Sequence, residues 1–460
     1  MKYDIFWIIG VFLVIALWAV VLTCIFGYIV FPRNILVNSD IDLFIPTLAA
    51  MSFNLTYLFL GAFIFITYLF KINRLKKHNH HMIKHKRGHL NDDLCSIIIP
   101  ARDEEAVIRG SVLKCLRQTY RNIEVLVIVH NSSDGTFEES KVGDGRVRSF
   151  DLKTKASGKA IALNYGIKQS RGKYIMIIDA DTILEDNFIE NAMPALSDES
   201  LAAVQGRVFP LNRGYNFLTK LMAMEDDLWQ EPIMTTRSVL GERCPLLGTG
   251  FIVRKKVLIE EGMFSNSLVD DHVLTCKLLR RKYRIIYLPL CRAYAEEPAS
   301  LQVMLRQRAR WGRGFINCLH HKMADSSDIV GNLLWFMPLG TFANSIMFII
   351  VVYATIFNLI FEYLPYSFAY LPLQLWFIVA GIMMCLYVSV LLKVHGVKEG
   401  IRRAMYLVPF IAFSQYGMVI CYKALFVRTW GTTKTIHGFT PAVMQAPSIE
   451  RARREGAFNG

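Results

Sequence analysis

The apolar positions of this chain are gathered into blocks. Ile5 to Phe31 runs almost without charge, and a second apolar run extends from Leu43 to Phe70. Three more lie toward the other end: about Val330 to Ile360, Leu371 to Leu392 and Ala404 to Phe426. A helix crossing a bilayer core of about 30 Å needs about 20 predominantly apolar residues, and each block is long enough. The first is too long for a secretory leader, lacks a small-residue cleavage site and is followed by a second span. Between the two sets, about Asp92 to Asp325 has ordinary globular composition and the length of one substantial domain. The pattern predicts two membrane helices over residues 1–70, a basic linker over 71–91 and a soluble domain over 92–297. It continues with interfacial amphipathic helices over 298–329, about three transmembrane or re-entrant helices over 330–427 and a basic tail over 428–460.

Inside the soluble domain the pattern changes. Ser96 to Ile99 is a short β-rich run stopped by Pro100. Ala106 to Gln118 has helical periodicity, with Val107, Ile108, Val112, Leu113 and Leu116 on one face. Glu124 to Val129 reads as a second strand, Lys159 to Lys168 as a helix and Tyr174 to Ile178 as a third strand. Strands with no polar alternation, separated by helices, predict a parallel sheet covered on both faces. The expected fold class is an α/β cytosolic domain with a mostly parallel central sheet, joined to an α-helical transmembrane bundle. In such sheets ligands bind beyond the carboxyl ends of the strands. Each predicted strand ends in polar residues: Arg102-Asp103-Glu104-Glu105, His130-Asn131-Ser132-Ser133-Asp134, and Asp179-Ala180-Asp181.

Composition narrows the classes. With 53% hydrophobic and 20% charged residues, the chain is too apolar to be disordered or purely nucleic-acid-binding. Its net charge of +14 suits an anionic membrane surface or an anionic substrate. Nine cysteines without a C-x-x-C pair argue against a disulfide framework or a Cys-rich zinc module, and favour a reducing cytosolic face. Lys71, Arg74, Lys76, Lys77, Lys84, Lys86 and Arg87 follow the second span, which places this segment and the domain after it in the cytoplasm. The acidic loop Asn38 to Asp42 falls outside and the basic loop Lys393 to Arg403 inside. Three full C-terminal spans would put the tail outside, although Arg428, Lys434, Arg451, Arg453 and Arg454 favour the inside. The side of the tail stays open. His78, His80, His81, His85 and His89 read as a solvated basic linker, because no carboxylate or Cys lies nearby at ligand spacing.

The candidate chemistry is modest motif by motif. Asp179 and Asp181, two carboxylates past a buried strand, can hold a hard divalent cation and through it a diphosphate, or can simply cap a turn. Ser157-Gly158-Lys159-Ala160 precedes a helix and suits an anion at its N-terminus, but it is no Walker loop. Gly248-Thr249-Gly250 allows close backbone approach to a flat ligand, or is a tight turn. Asp270-Asp271 opens an amphipathic helix; both acids suit the helix dipole, while Asp271 could act as a general base whose pKa its neighbour raises. Gln307-Arg308-Ala309-Arg310-Trp311 lies in a basic amphipathic stretch, Ala299 to Leu319, that fits a helix on a membrane surface. A Trp beside an Arg can also stack on a sugar and neutralise phosphate.

In this order and at these separations, the motifs resemble those of the processive family 2 glycosyltransferases, the membrane group of hyaluronan, cellulose, chitin and poly-N-acetylglucosamine synthases. The matching residues run from Ile97-Ile98-Ile99-Pro100-Ala101-Arg102-Asp103-Glu104-Glu105 to Gly158-Lys159-Ala160-Ile161-Ala162-Leu163-Asn164. They continue through Asp179-Ala180-Asp181, Gly248-Thr249-Gly250 and Asp270-Asp271 to Gln307 with Arg310-Trp311, the family's Q-x-x-R-W element. The resemblance implies a nucleotide-diphosphosugar transferase fold. It implies that Asp179 and Asp181 contact a UDP-sugar and its Mg²⁺ or Mn²⁺, and that Asp271, beside Asp270, deprotonates the acceptor hydroxyl. Ala101, Asp103, Glu105, His130 and Lys159 would lie at the nucleotide-sugar. Gln307, Arg310 and Trp311 would bind donor diphosphate and acceptor, and Gly248, Thr249 and Gly250 would line the acceptor side. Two positions depart from the family: Asp270 stands where a Glu is usual, and His130 where an Asp pairs with uracil.

The resemblance further implies inversion at the anomeric carbon and a multi-pass protein of the plasma membrane with its catalytic domain in the cytoplasm. The expected product is a β-linked polysaccharide, best an N-acetylglucosamine polymer, elongated inside and passed outward. Expected partners are a UDP-sugar donor, a growing polysaccharide or glycolipid acceptor, the lipid bilayer and a small accessory membrane subunit, with no nucleic acid. One alternative is a transferase adding one or a few sugars to a lipid. Another is a non-catalytic transporter or nucleotide-sugar sensor, which the His130 departure alone favours.

Overall fold

The structure is a computed structural model and describes residues 61–80, 93–320 and 366–414, with a few single positions besides. The predicted span Ile5 to Phe31, most of Leu43 to Phe70, all but single positions of Val330 to Ile360, and the basic tail lie outside the described residues, as do His81, His85 and His89. The chain divides into two compact units, residues 71–334 with 420–460 and residues 1–70 with 335–419.

The first unit carries the candidate chemistry. Its strands are β1 (Cys95–Ala101), β2 (Ile123–His130), β3 (Val147–Leu152), β4 (Tyr174–Ile177), β5 (Ile183–Leu184), β6 (Leu201–Pro210), β7 (Phe251–Arg254) and β8 (Arg284–Ala295). Its helices are α1 (Ile108–Leu116), α2 (Thr136–Ser140), α3 (Lys159–Gln169), α4 (Phe188–Leu196), α5 (Phe217–Glu225), α6 (Glu231–Gly241), α7 (Lys255–Glu260), α8 (Asp270–Arg280) and α9 (Leu301–His320). The three strands expected from the sequence are β1, β2 and β4, and the two expected helices are α1 and α3. Alternation sorts a uniformly apolar strand onto two cores. Ile97 and Ile99 of β1 with Val125, Val127 and Val129 of β2 pack against Ile108 and Val112 of α1. Ile98, Leu126 and Ile128 face the other way, against Ala160, Leu163 and Ile167 of α3. Gly166 lets α3 come close: a Cβ there would lie 2.7 Å from Ile98 and 3.1 Å from Ile128.

The eight strands form one sheet in the order β3-β2-β1-β4-β7-β6-β8-β5. β1 pairs in parallel with β2 and β4, and β2 with β3. β6 also pairs in parallel with β8, so the expected mostly parallel sheet is found, but β7 runs antiparallel to both β4 and β6, and β5 to β8. The sheet is therefore mixed. The reversal positions the site, because it lays the residues before β7 beside the residues after β4. Gly250 N donates to Ile177 O at 2.9 Å and Asp179 N to Thr249 Oγ1 at 3.0 Å.

A π-helical turn, Asp226–Gln230, joins α5 to α6 and carries a buried ion network. Arg213 donates to both oxygens of Asp227, at 2.5 and 3.1 Å. Arg207 of β6 lies 3.0 Å from Glu231, which also accepts from the Tyr287 hydroxyl. Three carboxylates thus share two guanidiniums, and burial, aided by the charge of Asp227, pushes Asp226 from 3.8 up to about 8.

In the second unit, α10 (Tyr366–His395) is followed by α11 (Val397–Ala404) and α12 (Leu407–Ser414). Phe65 meets Tyr387 edge-on at 5.2 Å, and Tyr387 meets Phe410 at 6.4 Å. The predicted span Leu371 to Leu392 falls within α10, whose side-chain burial is described without a break only over 380–395. Searched over the described residues alone, no helix is long and apolar enough to cross a membrane. The predicted span Ala404 to Phe426 starts at a break, where α11 ends and α12 begins. Cys95, Cys115, Cys244, Cys276 and Cys291 are buried free thiols and Cys385 is an exposed one.

The Asp226 shift makes a stability prediction. Between about pH 4 and about pH 8 the folded chain holds a proton that the unfolded chain has lost, so this group's contribution to stability falls as pH rises and flattens above about 8. Asp226→Asn removes that dependence. The melting temperature of the variant, relative to the parent, should climb between about pH 5 and pH 8 and then level off. A difference that does not change with pH would show that Asp226 holds no proton.

Candidate functional site

The site is assembled along the carboxyl edge of β1, β2 and β4. After β1 the chain turns through Asp103, whose φ of 54° is left-handed. Asp103 Oδ1 accepts from the Ser133 amide at 2.7 Å and the Ser133 hydroxyl at 2.9 Å, while Asp103 N donates to Ser132 Oγ at 2.7 Å. Glu105 Oε2 accepts from Gly135 N at 3.1 Å. Both acids therefore lock the loop after β1 to the loop after β2. Ala101, the last residue of β1, is buried behind them.

His130 ends β2 and is buried. Its Nε2 lies 2.8 Å from Thr154 Oγ1, whose single hydroxyl proton goes to Ala156 O at 2.8 Å. His130 must then be the donor in that contact. Burial, and after it the Arg102 charge, lowers its pKa and keeps the ring neutral. Asn131 clasps Thr154 in both directions, at 2.9 and 3.0 Å. The two residues fasten the loop that leads to α3.

Lys159, the first residue of α3, reaches across the edge. Its Nζ donates to Asp179 Oδ1 at 2.5 Å and to Gly248 O at 2.9 Å. Burial acts to lower its pKa, but Asp179, Asp270 and Asp271 together raise it, so the ammonium is held charged. Gly248 and Gly250 have left-handed φ of 78° and 65°. A Cβ on Gly248 would lie 3.1 Å from Asp271 Oδ2, which puts the candidate base against the glycine turn.

α8 begins at the two acids. Asp270 is buried, and burial pushes it up to about 6 against the pull of Lys159, with Asp271 and Asp179 adding to the rise. Asp271 is raised as well, first by burial, while Lys159, the His272 amide and Arg310 draw it down. Asp179, across the edge and beyond the reach of any local sequence pattern, adds to the rise. Asp271 Oδ1 accepts from His272 N at 2.8 Å.

α9 closes this side. Arg310 donates to Leu268 O at 2.8 Å, and Trp311 packs on Val269 and Val273. Gly314 permits the approach, since a Cβ there would fall 2.5 Å from Val269. Gln307 Oε1 is buried without a hydrogen-bond partner. Lys159, Asp179, Gly248, Asp270, Asp271 and Arg310 are thus one electrostatic cluster, whereas Asp103 and Glu105 are engaged in a neighbouring clasp.

Among the described residues, no group of three or more His, Cys, Asp or Glu could hold a metal ion. Asp179 and the half-buried Asp181 instead offer two carboxylates on one turn. Such a pair fits a hard cation whose other ligands are phosphate oxygens, as is usual for Mg²⁺.

Three supporting residues carry no motif. Gln205, buried in β6, donates to Thr249 O and Gly250 O, each at 3.1 Å, and accepts from Leu247 N at 2.9 Å. Thr275 links Leu246 N to Asp271 O. Arg308 donates to Glu225 at 3.0 Å. The one local signal was Gln205, a polar residue inside an apolar strand.

Residues 93–314 match the family model described as glycosyltransferase like family 2. A probable glycosyltransferase of Bacillus subtilis is 28% identical over 228 residues, covering 48% of this chain and 54% of that protein. Poly-beta-1,6-N-acetyl-D-glucosamine synthase of Staphylococcus aureus is 28% identical over 225 residues, with the same 48% and 54% coverage. The chain spans about half the length of the curated relatives it matches. Among solved structures, a mannosyltransferase from Pyrobaculum calidifontis in complex with GDP-Man and Mn²⁺ aligns at a TM-score of 0.49 and 17% identity, covering 80% of this chain and 98% of that one.

Proposed function

We propose that the chain, whose residues 93–314 match the glycosyltransferase like family 2 model, is a hexosyltransferase that moves a sugar from a UDP-sugar to the hydroxyl of a growing β-linked polysaccharide, best an N-acetylglucosamine polymer. The observation that carries this reading is the cluster itself. A carboxyl with a raised pKa, Asp271, stands against a glycine turn, with the Asp179 carboxylate and two cations, Lys159 and Arg310, around it. The named Staphylococcus aureus relative supports the choice of sugar.

The chemistry follows from the placement. Asp271 takes the proton of the acceptor hydroxyl, and a raised pKa brings it closer to the working pH, where a general base is most effective. The acceptor oxygen attacks the anomeric carbon from the face opposite the diphosphate, which inverts the configuration. Arg310 and Lys159 supply positive charge as the diphosphate leaves. Asp179 and Asp181 would hold Mg²⁺ or Mn²⁺, which when bound supplies further charge neutralisation to the phosphates. The Gly248-Thr249-Gly250 turn and Trp311 line the acceptor side.

The apolar blocks and basic segments support a multi-pass protein of the plasma membrane with this domain in the cytoplasm, and export of the product through the spans. α9 suits a position on the lipid surface, with Leu301 and Arg306 exposed along it.

The test uses the full chain in lipid with Mg²⁺ or Mn²⁺, supplied with UDP-N-acetylglucosamine, UDP-glucose and UDP-glucuronate singly and in pairs. UDP release and a long polymer from UDP-N-acetylglucosamine alone are expected. A short lipid-soluble product would replace the polymer by a glycolipid, and no release from any donor would overturn the reading. Asp271→Asn should lower transfer by roughly 10²–10⁴-fold and leave donor binding measurable by calorimetry; normal turnover would remove Asp271 from the base role. Asp181→Ala should weaken donor binding in the presence of the metal and leave metal-free binding unchanged. Metal dependence equal to the parent's would reject the pair.

A further inference from the structure

Arg308 sits between two residues of the Q-x-x-R-W element and belongs to neither its fixed positions nor the acid cluster. It lies one helical turn before Trp311, so the two side chains share a face of α9. Its guanidinium carbon stands 4.4 Å from the centre of the Trp311 ring, well inside cation–π range. The same guanidinium donates to Glu225 Oε2 at 3.0 Å, and the pair is largely shielded, with side-chain exposures of 17% and 24%. Glu297 lies near enough for the Arg308 charge to act on its carboxyl. Glu225 is the last residue of α5, and the next residue opens the π-helical turn fixed by the buried Arg207 and Arg213 network. Trp311 also packs on Val269 and Val273, which flank Asp270 and Asp271. The indole is therefore held by the helix of the candidate base and by a cation anchored to a different part of the fold.

We propose that Arg308, tethered by Glu225, is a positioning residue that sets the angle of the Trp311 ring for the acceptor sugar. Sugar stacking depends on the plane of the ring, and an indole packed only on Val269 and Val273 could rock about its χ angles. A fork bonded to Glu225 and laid over the ring removes that freedom. The role in transfer rests on the function proposed above; the hold on the ring does not. Replacing Arg308 by an uncharged chain should weaken use of the acceptor and spare the donor, because the diphosphate side of the cluster is left intact.

The experiment uses the full chain labelled with 5-fluorotryptophan, its Trp311 resonance assigned by Trp311→Phe. In Arg308→Met that resonance should shift or broaden without any substrate present. Glu225→Gln should move it in the same direction by less, and Arg308→Lys should bring it part of the way back. With UDP-N-acetylglucosamine and short β-linked N-acetylglucosamine oligomers, Arg308→Met should raise the acceptor KM about fivefold to tenfold, the size of one shielded cation–π contact. The donor KM should stay within about twofold on the same grounds. A Trp311 resonance unmoved in both Arg308→Met and Glu225→Gln would overturn the proposal, as would a loss that falls on the donor KM. Should the parent transfer no sugar to these oligomers, the fluorine spectra still decide whether Arg308 fixes the ring. Should Arg308→Met not fold, Glu225→Gln, which keeps the side-chain volume, carries the same comparison.

Discussion

Asp179, Asp270 and Asp271 crowd into one partly buried corner, and the Lys159 ammonium is what lets them do so. Carboxylates that lose water repel one another strongly unless a cation and hydrogen bonds replace the lost solvation. Lys159 supplies both, bonding Asp179 and the Gly248 carbonyl while its charge acts on the other two acids. Arg310 adds a second positive charge from α9. The balance is incomplete, and the remainder appears as raised proton affinity on Asp270 and Asp271. A corner with three acids and two cations is thereby poised to accept a proton, or to accept a further cation that arrives with an anionic substrate.

The corner exists because the sheet reverses direction. Had β7 continued the parallel series, the Gly248 turn would lie at the opposite edge, a strand length from Asp179. Antiparallel pairing of Tyr174–Ile177 with Phe251–Arg254 instead brings the two turns together, and Thr249 stitches them through Asp179 N and Thr182. Gln205 braces the same turn from β6. Parallel strands on one side thus present the loops after β1 and β2, and the reversed strand presents the turn that faces α8.

The sequence announced some of this plainly. β1, β2 and β4 hold the apolar runs 97–99, 125–129 and 174–177, and their burial on both faces is what such runs require. β3 was not legible: Val147–Leu152 mixes charged, polar and apolar residues without a period, lies at an edge and is only half buried. The reversal at β7 was not legible either, because its register pairs Tyr174 with Arg254, and no local pattern encodes a partner so far along the chain. Residue types at the site could be found from spacing, but their partners could not. The resemblance puts Asp103 and Glu105 at the nucleotide-sugar, but no spacing announces their bonds to Ser133 and Gly135. The ion network of Arg207, Arg213, Asp226, Asp227 and Glu231 gave no signal, since charged residues scattered over helix and strand read as surface until the fold buries them.

The segment Gly158 to Asn164 shows what the tertiary structure adds to a local reading. A glycine and a lysine at the start of a helix suit a phosphate, and nothing within the segment argues otherwise. Its long-range partners add a second task. A side chain at Gly158 would collide with Asn266, Lys159 spans Asp179 and Gly248, and Asn164 exchanges two hydrogen bonds with the backbone of Phe264, at 2.8 and 3.0 Å. The approaches to Asn266 and Phe264 hold the loop that runs up to Asp270, while Lys159 holds Asp179 and the turn before β7. A rigid α3, packed through Gly166 against β1 and β2, transmits the position of the sheet to that loop. The acids after β4 and the acids opening α8 are about ninety residues apart in sequence, and this helix bonds Asp179 on one side and the loop leading to Asp270 on the other.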